Sequence, residues 1–234
     1  MNERTFRRVG ALSGGAFVVL SVLSTFLYPY PPAIDSDPAA ILKWAHPHRV
    51  GIQAGMVLGA FTGALFVVFV AALRDRIDAA GDRALGSLLY GSGIAFAAVY
   101  VLGVIPLGTL VFMEGQPGGF GDGTVVRLLF DLNWIMFAPA MALGVVFLLS
   151  TGIAIVRTEV FSPLLGWASI VVSVPVALLV YISLTFSSYH AGGWTVVGWV
   201  GFIGKLAVIL WMSLAMARQP KNVDQTSAGA REDS

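Results

Sequence analysis

The sequence predicts an all-α protein, a polytopic transmembrane bundle of six helices with both termini in the cytoplasm. Three observations predict it. Hydrophobic residues make up 57% of the chain and charged residues 12%, about half the charged share of an average soluble domain. The apolar residues gather into six runs, each near the roughly 20 residues that a bilayer core of about 30 Å demands of a helix. Lys and Arg divide unevenly between the connecting segments, ten on one side and three on the other, which sets the orientation.

The first run, 9–27, follows Arg4, Arg7 and Arg8 and ends in YPYPP. It lacks the small-residue cleavage site of a signal peptide and reads as an uncleaved span. In the outer segment SDPAAILKWAHPH, Asp37 is placed to cap a helix that begins at Pro38. Ile41, Leu42 and Trp44 are then expected on the membrane surface, with Trp44 as an interfacial anchor.

The second run, 50–73, carries Gly51, Gly55, Gly59 and Gly63 at strict intervals of four. That spacing cuts a groove in which another backbone can approach closely. Gln53 lies about 200° around the helix from Gly51. Two such unlike faces predict a helix surrounded by protein, at the bundle centre. The DRIDAAGDR stretch that follows is a solvated turn of alternating charge.

The third run, 84–111, aligns Tyr90, Gly93, Ala97 and Tyr100 on one face; the remaining runs are 126–156, 162–186 and 195–217. Pro106, Pro139 and Pro175 fall inside runs three, four and five, where each removes a backbone donor. MEGQPGGFGDG is a flexible outer loop and SSYHAGGW a short turn. Residues 1–217 thus form one transmembrane domain, and 218–234 a polar, disordered cytoplasmic tail.

Several function classes are excluded. Without cysteine there are no disulfides, iron–sulfur clusters or thiol catalysis. The net charge of +1, with no basic run, excludes a nucleic-acid partner. No Ser–His–Asp set, HExxH or phosphate-binding glycine loop is present, so an enzyme is not expected and no cofactor is implied. His46, His48 and His190 all fall on the outer side. HPH reads as an extended segment whose imidazoles point apart, so no metal site is expected.

One residue resists the lipid environment. In GWVGFIGKLAVILW, Lys205 lies about 16 Å from the outer end of its span. A lysine at that depth costs about 2.5–3.5 kcal/mol even on gentle insertion scales. Its side chain leans toward the outer end, over Gly198 and Gly201. Asp131, in RLLFDLNW, lies at a matching depth. The expectation is an interhelical Lys205–Asp131 pair, extended by Arg127 four residues earlier on the same face. Gln53, Asn133 and Tyr100 complete the candidate ligand-binding residues. Two functions follow. One is a protein that binds or transports a small molecule or ion at this polar site. The alternative is an accessory or assembly subunit that meets a membrane-protein partner, or a second copy, through the Gly51–Gly63 zipper and Lys205.

Two resemblances bear on this. A lysine in the last span, with RLLFDLNWIMFAP in another, is similar in flavour to the retinal-binding microbial rhodopsins. The chain departs from that pattern in having six spans, and in Gly201 where the family carries an aspartate, so retinal is not expected. A wider resemblance rests on the basic N-terminus, DPAAILKWAHPHR and a span ending in AALRDR. It resembles uncharacterised six-span membrane proteins of high-GC bacteria, and the prevalence of arginine over lysine, 11 to 3, fits such a source. The resemblance implies a six-span fold and an inner-membrane address. It implies no activity.

Overall fold

The structure, a computed structural model, describes residues 2–27, 31–33, 35–114, 123–185 and 193–218, with the backbone alone at 3–4, 179–185 and 193–198. The expected flexible loop around Gly118, the turn carrying His190 and the tail beyond Arg218 lie outside the described residues. Six helices account for nearly all of the rest: α1 Glu3–Leu27, α2 Pro38–Ala79, α3 Arg83–Glu114, α4 Gly123–Thr158, α5 Pro163–Thr185 and α6 Gly193–Arg218. Among the described residues five helices are long and apolar enough to cross a membrane. α5 is apolar throughout, but its described stretch, Pro163–Leu178, is shorter than a full crossing. The protein is an all-α, multi-pass membrane bundle.

The turns follow local chemistry. Gly81 takes φ +100°, the left-handed conformation that glycine adopts without strain, and reverses the chain after α2. Asp82 then caps α3, its Oδ1 accepting the Leu85 N–H at 3.2 Å. Between α4 and α5, Glu159 takes φ 53° and Pro163 opens the next helix, where its missing N–H costs nothing.

The surprise is α2. Asp37 caps it as expected, with Oδ1 accepting the Ala40 N–H at 2.7 Å, and Pro38 is its first residue. The expected surface helix does not stop, however. It runs through Pro47 into the second span as one helix of 42 residues, about 63 Å long. HPH is therefore helical, not extended. Ile41 does not lie on the membrane surface either. It is fully buried, in a small core that also holds Ala45, Ile52, Leu107, Leu110, Val111, Val126 and Phe130 from α2, α3 and α4. The Pro38 end of α2, the Glu114 end of α3 and the Gly123 end of α4, together the projecting end, form this second small core, which begins within the apolar stretches and continues beyond them.

Each helix packs on its neighbours in sequence, and α6 returns to pack on α1, which closes a ring; α2 also touches α4 across it. Contacts at one end fix the alternation of direction. Arg7 of α1 faces Asp75 of α2 at 3.8 Å, and Arg157 of α4 faces Asp82 at 3.5 Å, both partly exposed. Buried Arg76 donates to the Met216 carbonyl of α6 at 3.1 Å. The start of α1 and the end of α6 therefore share this end, called here the terminal end.

Inside the ring, Phe66 of α2 is the hub. Its ring centroid lies 4.8 Å from Phe17 of α1, 5.3 Å from Phe96 of α3 and 5.2 Å from Phe147 of α4. Each aromatic contact adds about 0.5–1.5 kcal/mol beyond area burial. Such packing matters more in lipid, where apolar helices gain little by merely leaving the solvent. α2 touches three helices, α1, α3 and α4, and α4 equally touches three, so α2 is not the sole centre. It is not enclosed on all sides, since Val57 and Phe61 face outward.

The glycine stripe is spent within the chain. A Cβ on Gly51 would meet the Leu27 carbonyl oxygen of α1 at 2.8 Å. Gly55 accepts a long hydrogen bond from Ser24 of α1 at 3.5 Å, and Gly63 lies against Val101 of α3. The Gly51–Gly55 half of the stripe thus admits α1 and the Gly59–Gly63 half α3. A second close crossing had no regular spacing to announce it. Gly152 of α4 and Gly166 of α5 face each other, each leaving room for the other's carbonyl oxygen at 2.7–2.8 Å from a would-be Cβ.

Candidate functional site

Lys205 sits midway along α6, 12 residues after Gly193 and 13 before Arg218. It is 6% exposed and faces the interior of the ring. Its Nζ reaches across to α3 and lies 4.9 Å from the Phe96 ring centroid, and 5.7 Å from that of Phe202, one turn before it on α6. Both distances fall within the cation–π range of about 6 Å. Phe96 stacks in turn on Tyr100 at 5.9 Å and 25°. The ammonium thus rests on an aromatic layer joined to the Phe66 hub.

The α5–α6 crossing makes this placement possible. Gly201 and Gly204 lie against Val176 and Val172 of α5, where an added Cβ would come within 3.1–3.2 Å of a valine methyl. Small residues on that face bring α6 close to α5 and present Lys205 to the bundle interior. Gly201 serves as a helix contact, and the lysine extends toward α3.

The expected Lys205–Asp131 pair is not formed. Asp131 Oδ2 accepts from Arg127 Nε at 2.9 Å, along the same helix. Arg127 Nη1 also donates to the Ser36 carbonyl at 2.8 Å. This polar clamp ties the start of α4 to the segment that leads into α2. α4 projects past the start of α6, so Asp131, eight residues into α4, lies at the projecting end, whereas Lys205 lies at mid-helix. Among the described residues Lys205 makes no ion pair.

The other candidates disperse. Gln53 faces the outside of the bundle between α2 and α3, away from Lys205. Asn133 is half-buried on α4 and joins neither group. Tyr100 alone is brought near Lys205, through Phe96. The histidines serve the projecting end: His46 Nδ1 meets Glu114 Oε1 at 2.9 Å with its side chain mostly exposed, and His48 Nδ1 meets the Trp44 carbonyl at 2.6 Å. Among the described residues no three His, Asp or Glu side chains converge as metal ligands would.

Sequence reasoning missed Phe96 and Phe202. Phe202 could have been found, because it precedes Lys205 by three residues on one helix face. Phe96 could not, since it comes from the opposite wall of the ring.

The chemistry of the interior is set by what it lacks. Stretches 9–27, 50–73, 84–111, 132–156, 163–186 and 195–217 contain no Asp or Glu, and Lys205 is their only charged residue. No carboxylate of these stretches can neutralise it. Aromatic faces offset part of the cost of burying the ammonium, and among the described residues it meets no hydrogen-bond acceptor. A cation held in this way is suited to an anion that arrives from outside the chain.

Compared with known proteins, the chain matches no family model, no curated protein and no solved structure.

Proposed function

We propose that this protein binds a small, largely apolar acid inside the helix ring, its carboxylate or similar anion paired with Lys205, and moves it within or across the membrane. The observation that carries the reading is the buried ammonium over Phe96, in an apolar layer without any acidic residue. Aromatic and aliphatic walls suit the apolar body of such a ligand, and one cation fixes its orientation. Asp131 and Arg127 belong to the projecting end in this reading, away from the binding centre, and Asn133 joins neither. Both termini are cytoplasmic in an inner, plasma membrane, because the terminal end carries Arg7, Arg74, Arg76 and Arg157.

The accessory-subunit reading is less well supported. The Gly51–Gly63 stripe admits the chain's own α1 and α3, and Lys205 faces inward. Neither feature is left for a partner.

The test is thermal stability of the purified protein with octanoate, benzoate and a neutral amide of each, beside Lys205→Met and Lys205→Arg. A ligand at 100 times its Kd stabilises the folded state by about 2.7 kcal/mol. The acids should raise Tm in wild type, the amides should not, Lys205→Met should lose the shift and Lys205→Arg should keep part of it. Equal shifts in wild type and Lys205→Met would sink the proposal, as would no shift with any acid.

A further inference from the structure

Between the outer halves of α2 and α3, an open groove of about 340 Å³ faces away from the bundle core. Its size falls in the range of about 300–1,000 Å³ typical of ligand clefts. Gln53, Met56 and Val57 form one wall, and Ile105, Thr109 and Phe112 the other. The floor is Gly108, whose missing side chain makes room for Met56. Thr109 turns its hydroxyl to the Ile105 carbonyl at 3.0 Å, so its methyl is what remains for the groove. The lining is therefore apolar except for Gln53.

Three observations say what occupies it. The first is depth. Arg49 immediately precedes the apolar stretch 50–73 of α2, which places it at the level of lipid headgroups, with the groove directly beneath. The second is register. Arg49, Gln53 and Val57 follow at intervals of four and share one helix face. The third is unmet bonding capacity. Arg49 makes no ion pair and Gln53 no hydrogen bond among the described residues. An amide facing lipid one turn below the boundary needs an acceptor or donor there.

We propose that this groove is a specific site for one anionic phospholipid. Arg49 binds the phosphate of the headgroup, Gln53 bonds to the glycerol-ester region one turn deeper, and an acyl chain lies between Val57 and Phe112. Basic residues beside grooves between membrane helices are how lipid headgroups are held, and the apolar floor supplies the rest of the specificity. The site is separate from Lys205, which is buried inside the ring against Phe96.

The experiment uses the full chain reconstituted in vesicles of equal parts phosphatidylglycerol and phosphatidylcholine. After extraction in mild detergent, native mass spectrometry reads the lipids retained per protein. Wild type should retain one phosphatidylglycerol in preference to phosphatidylcholine. Arg49→Gln should weaken that preference about five-fold, the share expected of one basic residue near the headgroups. Val57→Trp, at an exposed position that fills the groove, should lose both lipids. Lys43→Gln is the control, an exposed cation on the same helix but a different face, and should behave as wild type. Equal retention of both lipids by wild type overturns the proposal. So does an unchanged preference in Arg49→Gln, or an equal loss in Lys43→Gln, which would indicate general surface charge.

Discussion

Among the described residues two cations, Arg76 and Lys205, are buried, and they are handled in different ways. Arg76 is buried at the terminal end, where Nη2 finds the Met216 carbonyl and the guanidinium carbon lies 6.0 Å from the Phe161 ring centroid. It joins the end of α2 to the end of α6 and to the α4–α5 turn. Hydrogen bonds to charged groups contribute about 1.5–3 kcal/mol. Arg76→Ala should lower stability by about that amount and loosen α6, read as faster hydrogen exchange at 209–217. Exchange there unchanged from wild type would mean that α6 is held by packing alone. Lys205, in contrast, is met among the described residues by aromatic faces. That Lys205 is exceptional was legible from the sequence, since an ammonium in lipid is costly wherever it points. Its partner was not legible. Matching residues by their depth along separate helices assumes that every helix starts at the membrane surface, and α4 does not.

Helices here were legible as runs and illegible as ends. Hydropathy marks where lipid contact begins and stops, and it is silent on whether the helix continues beyond. The sequence therefore located the second span but divided α2 at HPH, where a proline and two histidines suggested a break. The helix continues because Ile41 and Ala45 find a covered face against α3 and α4, and burial outweighs the single backbone bond that Pro47 forgoes. The glycines of α2 were legible as a close-contact stripe, but not which helix they meet. They also differ in what an added methyl would strike. At Gly51 it meets a backbone oxygen at 2.8 Å, which cannot swing away, whereas at Gly15 nothing lies within 4 Å. Gly51→Ala should cost about 1–3 kcal/mol, as overpacking does, and Gly15→Ala should cost nothing or stabilise slightly. Chemical denaturation of the two variants in mild detergent compares them directly. Equal stability would place α1 further from α2 than described here.

At the scale of the whole molecule, closure of the ring is the decisive feature. α1 and α6 pack together, with Gly14 of α1 set against Phe69 and Ser213. The chain has no native cysteine, so crosslinking is free of background. Cysteines introduced at 14 and 213 should crosslink readily under mild oxidation. Cysteines at 131 and 205 should not, because Asp131 belongs to the clamp with Arg127 and Lys205 to the aromatic layer at Phe96. The reverse pattern would replace the closed ring by a bundle in which α4 and α6 are adjacent.

Residue pattern alone says that this chain lives in a membrane, that it is helical, and that one lysine stands out in its apolar interior. These follow from composition and run length, which are local properties and need no knowledge of neighbours. Which helices touch emerges from the folded bundle. It turned the glycine stripe inward, drew Asp131 to Arg127, set Gln53 on the outer groove and laid Lys205 over Phe96. The physical reason is the medium. In lipid an apolar face has no solvent to escape, so hydropathy cannot say which face meets which helix. Shape and polar contacts make that choice, and they form only between residues far apart in sequence.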